Sequence, residues 1–370
     1  MKRVKAFPTV LLTFAVLSTV PTAALRAQWT AKGPVPRAQH TAVFDPATKR
    51  MIVFGGVPDS YVTQSDLNDV FWLQNASAVN RFQAWEPVNP TGVKPAPRLG
   101  HTAVYDSVNS RMIVFGGGLG RTSPCENDVW VLSNANGAAG TPSWGRITAA
   151  GAAPAPRMVH TAVYDPNTNR MIVFGGNDCF SGFYNDVWVL SNANGLGGTP
   201  AWTQLAPAGA APSPRGYLSA VYDPTNNIMV LFGGGGTADI WTLSNANGMG
   251  GAPAWTQLTP SPGPAARSAH SAIYDTANNR MTIYGGVSPG VLLFSDVWVL
   301  VNATGIGGTP AWTQLAPTSF IPPAPRQSHT AVYDPVSNVM TIFGGQITPA
   351  TSPQEIPISD VFVLQHANGL

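Results

Sequence analysis

One phrase governs this chain. "PR-x-x-HTAVYD", then about five residues, then "RMIVFGG" recurs six times, beginning at Pro36, Pro97, Pro156, Pro214, Ala266 and Pro325. The glycine pairs that close it end at Gly56, Gly117, Gly176, Gly234, Gly286 and Gly345, spaced 61, 59, 58, 52 and 59 residues apart. A stretch of variable length follows each pair, then a "D-V/I-W/F-x-L" run at Asp69, Asp128, Asp186, Asp239, Asp296 and Asp360. Five copies continue through "NANG-x-GGTPAW" to Trp85, Trp144, Trp202, Trp255 or Trp312. A period this long, kept from end to end, means copies of one supersecondary unit stacked on each other.

Each unit reads as four strands: "HTAVYD", "RMIVFGG", "DVWVL" and a last one starting at the Trp. The first three are nearly continuous apolar runs, as strands buried on both faces must be. The "DPNTN" segments are turns, because Asp and Asn bond locally and Pro fixes φ. The glycine pair is expected to end the second strand where a backbone without Cβ is required. One unit cannot bury both its faces, but six stacked into a closed circle leave no free end. The last copy stops at Leu370 without its Trp strand. "AQWTAKGPVPR", residues 27–37, has a Trp strand with nothing before it. Gln28-Trp29-Thr30 is therefore expected to complete the last unit and remove two edges at once.

The first 27 residues differ in kind. Lys2, Arg3 and Lys5 precede an apolar run from Phe7 to Val20, and Ala24 and Ala27 offer cleavage points, the pattern of a secretory signal peptide. That leader holds four of the 20 bases and none of the 18 acids, so residues 28–370 carry a net charge of −2. No nucleic-acid partner is expected of such a chain. No apolar run of spanning length occurs beyond the leader, so no membrane span is expected. The expected product is a secreted or periplasmic monomer. Two cysteines in an exported chain suggest a disulfide, and Cys125 and Cys179 lie in the loops that follow the second strands of units two and three. A Cys125–Cys179 bond would clamp those neighbours.

The glycine pair after an apolar strand, the aromatic after Asp, and the following Trp resemble the kelch repeat, over residues 29–370. The resemblance implies an all-β fold: a six-bladed β-propeller of four-stranded antiparallel blades, closed by the strand at Trp29. Domain boundaries follow as 1–27 for the signal peptide and 28–370 for the propeller. Fold alone does not give function. Some propellers of this kind are enzymes, among them a secreted copper oxidase for galactose and a bacterial sialic-acid epimerase. The oxidase would demand two His and two Tyr ligands and a Cys crosslinked to Tyr, which this pattern does not supply.

Repetition separates scaffold from site. Twelve of the acids, six "PR" arginines, four arginines before the second strands and five histidines (His40, His101, His160, His270, His329) belong to the repeat. Each "PR" Arg is expected to hold a carboxylate or carbonyl between strands or blades. The histidines are expected to be structural, with Leu218 in their place in unit four. No nucleophile elbow, HExxH, P-loop or dinucleotide fingerprint occurs, and neither a cofactor nor a metal site is expected. What varies is the loop after each glycine pair. These loops carry Tyr61, Arg121, Phe180, Phe183, Tyr184, Phe294 and Glu355, the candidate ligand-binding residues for a protein or an extracellular glycan. The loop of unit four is the shortest and is expected to leave a notch in the rim. A carbohydrate-active enzyme at the channel mouth and a structural envelope or matrix protein are the competing readings.

Overall fold

A computed structural model describes residues 33–58, 66–79, 82–120, 124–318, 322–350 and 354–370. Blade 1 consists of β1 (Thr41–Asp45), β2 (Arg50–Gly56), β3 (Leu67–Gln74) and β4 (Ala84–Val88). Blade 2 is β5 (Thr102–Asp106), β6 (Arg111–Gly118), β7 (Cys125–Ser133) and β8 (Ser143–Ile147). Blade 3 is β9 (Thr161–Asp165), β10 (Arg170–Phe174), β11 (Val187–Ser191) and β12 (Ala201–Leu205). Blade 4 is β13 (Ser219–Asp223), β14 (Ile228–Phe232), β15 (Ile240–Ser244) and β16 (Ala254–Leu258). Blade 5 is β17 (Ser271–Asp275), β18 (Arg280–Tyr284), β19 (Val297–Val301) and β20 (Ala311–Leu315). Blade 6 has β21 (Thr330–Asp334), β22 (Val339–Phe343) and β25 (Val361–Gln365), with a small hairpin of β23 (Gln346–Ile347) and β24 (Ile356–Pro357) in its loop. Pairing within each blade is antiparallel and in sequence order. The six-bladed all-β propeller is thus present, and blades 1 to 5 have four strands. Trp29 and the whole leader lie outside the described residues.

The apolar run of the second strand now has a physical account. Met51 and Val53 point into a cluster with Val332 and Phe343 of blade 6, while Ile52 and Phe54 point into one with Met112 and Val114 of blade 2. The same alternation places one large cluster at every blade interface among the described residues. Both faces of each sheet are core, so a period of two cannot appear as apolar and polar alternation.

Two details differ from the sequence expectation. The third strand of blade 2 begins at Cys125, three residues before Asp128, and that of blade 1 begins at Leu67. In both blades a bulge after Phe54 or Phe115 lets the second strand run on through the glycines. In blades 3 to 6 the second strand ends before the pair. The glycines are still required. Gly176 has φ +93°, and a Cβ there would lie 2.7 Å from the Met158 carbonyl oxygen.

Backbone bonds stitch neighbouring blades into a circle. The second glycine of each pair donates to the carbonyl of the next blade's "PR" arginine at 2.8–2.9 Å, from Gly56 to Arg98 round to Gly345 to Arg37. Closer to the axis, Gln39, Gly100, Val159, Tyr217, Ala269 and Ser328 form a second circle, each N–H donating to the preceding blade's carbonyl at 2.7–3.0 Å. All six have φ between +50° and +61°, and only one is glycine. A β-branched residue such as Val159 adopts that conformation only when its surroundings enforce it.

Candidate functional site

The loop face starts from its supports. Each "PR" arginine lies almost wholly buried and grips the aspartate at or near the start of the third strand of its own blade. Arg157 reaches Asp186 through both nitrogens at 2.7 and 2.9 Å and also donates to the Gly175 carbonyl at 2.9 Å. Arg37, Arg98, Arg215, Arg267 and Arg326 do the same with Asp69, Asp128, Asp239, Asp296 and Asp360. The fork suits two carboxylate oxygens at once. In blades 2 to 5 the tryptophan two residues on donates its indole N–H to the same carboxylate at 2.6–2.8 Å. Blades 1 and 6 have Phe71 and Phe362 there, and their aspartates stay more exposed, 39% and 41% against 8–22%. Burial opposes ionisation of Asp128, Asp186, Asp239 and Asp296, but hydrogen bonds from arginine and tryptophan and the guanidinium charge overcome it and hold them below the usual carboxylate range. Each loop therefore leaves and re-enters the blade at a fixed ion pair.

Tyr61 and Arg121 lie outside the described residues. Phe180 stands 78% exposed and Phe183 45% exposed on the loop of blade 3. Tyr184 and Phe294 are half-buried, with the guanidiniums of Arg157 and Arg267 stacked over their rings at 4.4 and 4.2 Å. Glu355 is half-buried and accepts hydrogen bonds from Gln327 at 2.6 and 2.8 Å. The loops of blades 3 and 5 share one design: bridges Asn177–Phe183 and Val287–Leu293 close them, and the following Tyr184 and Phe294 donate back to the second glycine. The blade-5 loop presents Val291 and Leu292, 80% and 65% exposed; both are aliphatic and carry none of the polar or aromatic character that marks a candidate in sequence. Between these loops the short loop of blade 4 has Pro289 of the blade-5 loop beside its Gly236, while Phe183 of the blade-3 loop lies beside Gly216, ahead of the first strand of blade 4.

The expected disulfide is present. Cys125 and Cys179 are bonded, with Cα atoms 5.5 Å apart, so the loop of blade 3 is tied to blade 2. Asp178 holds the same loop from within, its Oδ1 accepting the N–H groups of Phe180, Ser181 and Gly182. Those bonds keep its carboxyl below the usual range. Asp66, in the blade-1 loop, is pushed the other way, up to about 6, by burial.

The repeat histidines are buried between blades. Each Nε2 pairs with a hydroxyl of the preceding blade: His40 with Thr330, His101 with Thr41, His160 with Thr102, His270 with Ser219 and His329 with Ser271, at 2.7–2.9 Å. Burial and the nearby arginines push all five well down, to about 3 for His101, His270 and His329. They are neutral inter-blade contacts of the scaffold, and among the described residues no three His, Cys, Asp or Glu gather as a metal site. Together with the inner circle they leave only a cavity of about 120 Å³ at this end of the channel. None of the described non-repeat acids lines a channel cavity.

Comparison with known proteins gives a consistent picture. Residues 9–138 and 107–247 match the KLHDC2/KLHL20/DRC7 Kelch-repeats domain. The chain is 29% identical over 230 residues to the serine/threonine-protein phosphatase BSL2 of Arabidopsis thaliana, covering 60% of this chain and 21% of that protein. It is 31% identical over 198 residues to host cell factor 1 of Mus musculus, 50% of this chain and 9% of the other. Dynein regulatory complex subunit 7 of Chlamydomonas reinhardtii is 33% identical over 140 residues, 37% of this chain and 11% of that one. The chain thus spans about a fifth or less of the length of these relatives. Among solved structures, YjhT superposes with a TM-score of 0.61 at 15% identity, over 90% of this chain and 99% of the other. A copper-bound fungal alcohol oxidase gives 0.51 at 15% identity, over 90% and 67%. Both likenesses concern fold alone. The oxidase-type donor set does not fit this chain, because its two cysteines are bonded to each other.

Proposed function

This chain belongs to the kelch-repeat family, and on that premise we propose that it is an exported interaction module holding a protein partner on its loop face. One observation carries the reading. Phe180, Phe183, Val291 and Leu292 project apolar side chains from two loops of matched design, braced by Arg157–Asp186, Arg267–Asp296 and the Cys125–Cys179 bond. Exposed apolar side chains on a rigid support lose little entropy on binding, and aromatic residues such as phenylalanine are enriched at the cores of protein interfaces. The relatives add support, since one is by name a subunit of a complex. Export rests on the leader pattern of residues 1–27.

The test places a photoreactive phenylalanine analogue at position 180, with Thr203 on the outer strand of blade 3 as the control position. Incubation with the extracellular or periplasmic fraction of the source cell should give a discrete protein adduct at 180 only. Phe180→Ser with Leu292→Ser should abolish retention of that protein while leaving the melting temperature within a degree or two. Adducts of equal yield at both positions would sink the reading. So would glycan-array binding that survives the double substitution without any protein adduct.

A further inference from the structure

The end of the channel opposite the loops has a different chemistry. The fourth residue of each "TAVYD" strand stands there: Phe44, Tyr105, Tyr164, Tyr222, Tyr274 and Tyr333. They surround a cavity of about 340 Å³, within the size range of small-molecule sites. Every tyrosine hydroxyl donates away from the opening: Tyr105 to Asp45 at 2.9 Å, and Tyr164, Tyr222, Tyr274 and Tyr333 to Asn169, Asn227, Asn279 and Asn338 at 3.0–3.1 Å. Toward the cavity the lining presents aromatic surface and the methyl groups of alanines such as Ala42, Ala103 and Ala331, together with the backbone edges of the six first strands, which pair on one side only. Phe44 shows that the ring, not the hydroxyl, is common to all six blades.

Directly after each aromatic comes an aspartate, and all six are at most 4% exposed. They accept hydrogen bonds from turn N–H groups, hydroxyls and asparagine amides of their own turn or of the next blade, as Asp106 does from Asn109 and Asn194 and Asp275 from Asn278 and Asn368. Among the described residues only Asp334 forms an ion pair, with Lys49. The arginines that face these aspartates across the hairpin, Arg50, Arg111, Arg170 and Arg280, turn one nitrogen to a carbonyl of the next blade instead. Five buried carboxylates without an ion-pair partner thus stand behind a collar of electron-rich rings.

A methylated ammonium needs no hydrogen-bond partner from this collar, and it is drawn both to ring faces and to the charge of the carboxylates behind them. We propose that this vestibule binds a small quaternary ammonium cation of the choline type, at a site separate from the loop face.

Calorimetric titration of the full chain tests this with choline, with tetramethylammonium and with 3,3-dimethylbutan-1-ol, the neutral carbon isostere of choline, in buffer matched for sodium chloride. The two cations should bind one per chain, and the isostere at least about tenfold more weakly, as expected when cation–π and field attraction are removed. Tyr164→Phe and Tyr274→Phe should retain choline binding, and Tyr164→Leu and Tyr274→Leu should lose it. The Phe180→Ser, Leu292→Ser protein should bind choline unchanged, which separates this site from the loop face. Co-sedimentation with phosphatidylcholine vesicles in addition would identify a lipid headgroup as a source of the cation. Absence of heat with both free cations, or equal affinity for the isostere, overturns the proposal irrespective of the leucine variants' stability.

Discussion

At the scale of single residues, the most informative groups are the buried polar ones. Five neutral histidines and six arginine forks sit where water does not reach; each arginine grips an aspartate of its own blade, and each histidine pairs through Nε2 with a hydroxyl of the preceding blade while its buried Nδ1 has no partner. Their titration has a definite sign. The folded protein holds the histidines well below their usual value, whereas the unfolded chain takes up protons near pH 6.5. Their contribution is therefore complete above about pH 6.5 and declines as pH falls below it. The lowered aspartates Asp128, Asp186, Asp239 and Asp296 act at still lower pH, their contribution being present above about pH 4 and lost as pH falls through their folded values. Melting temperature should fall steadily from pH 7 to pH 5 and more steeply below 4. A His101→Leu protein, carrying the residue that blade 4 has in Leu218, should show a shallower decline between 7 and 5. A flat profile over that range would mean the histidines accept protons while folded. Sequence had marked these residues as scaffold because they repeat. It could not show the pairing of His101 with Thr41, since the partners are 60 residues apart.

At the scale of elements, strands were legible and loops were not. Identical strands in different blades have identical surroundings, so repetition carries their structure. A loop used once has no such internal copy. Tyr184 and Phe294 look like Phe180 on paper, yet arginine stacking draws the first two inward while Phe180 stays in solvent. The aliphatic Val291 and Leu292 had no signal of their own. The disulfide was visible because only two cysteines exist and both follow second strands of adjacent units. Removing it by Cys125→Ser and Cys179→Ser should lower stability by up to about 4 kcal/mol, the loop-entropy value for a sequence separation of 54. Protease cleavage within 177–185 should accelerate more than global unfolding does. If both midpoint and cleavage rate stay the same, Asp178 alone keeps this loop in shape.

At the scale of the whole molecule, the ring is closed between blade 6 and blade 1 by contacts that repeat those elsewhere and by some that do not. His40 with Thr330 and Gly345 with Arg37 follow the common pattern. Lys49 and Ser77 on Asp334 are particular to this junction. Here the asparagine of the "NANG" phrase is Ser77 and the arginine before the second strand is Val339, so both partners of the usual contact have changed together. The last blade differs at its outer edge. Its third strand, Val361–Gln365, is half-exposed along its length, whereas Val187–Leu190 of blade 3 is buried. Four apolar residues of Val361–Leu364 thus call for a fourth strand, and Gln28-Trp29-Thr30 is our proposal for it. Deleting residues 28–33 should lower the melting temperature by many degrees and make the Val361–Gln365 amides exchange rapidly. An unchanged melting temperature would show that the blade is completed in another way.

The sequence by itself determined the number of blades, their strands and the scaffold role of the repeated charges, because each recurs in six equivalent settings and recurrence is a one-dimensional signal. Only the tertiary structure decided which loop side chains face solvent, how the two backbone circles narrow the channel, and that six aromatic residues and six buried carboxylates meet at its other end. Those properties arise from bringing together residues more than fifty positions apart, and the order of residues along a chain does not record distances in space.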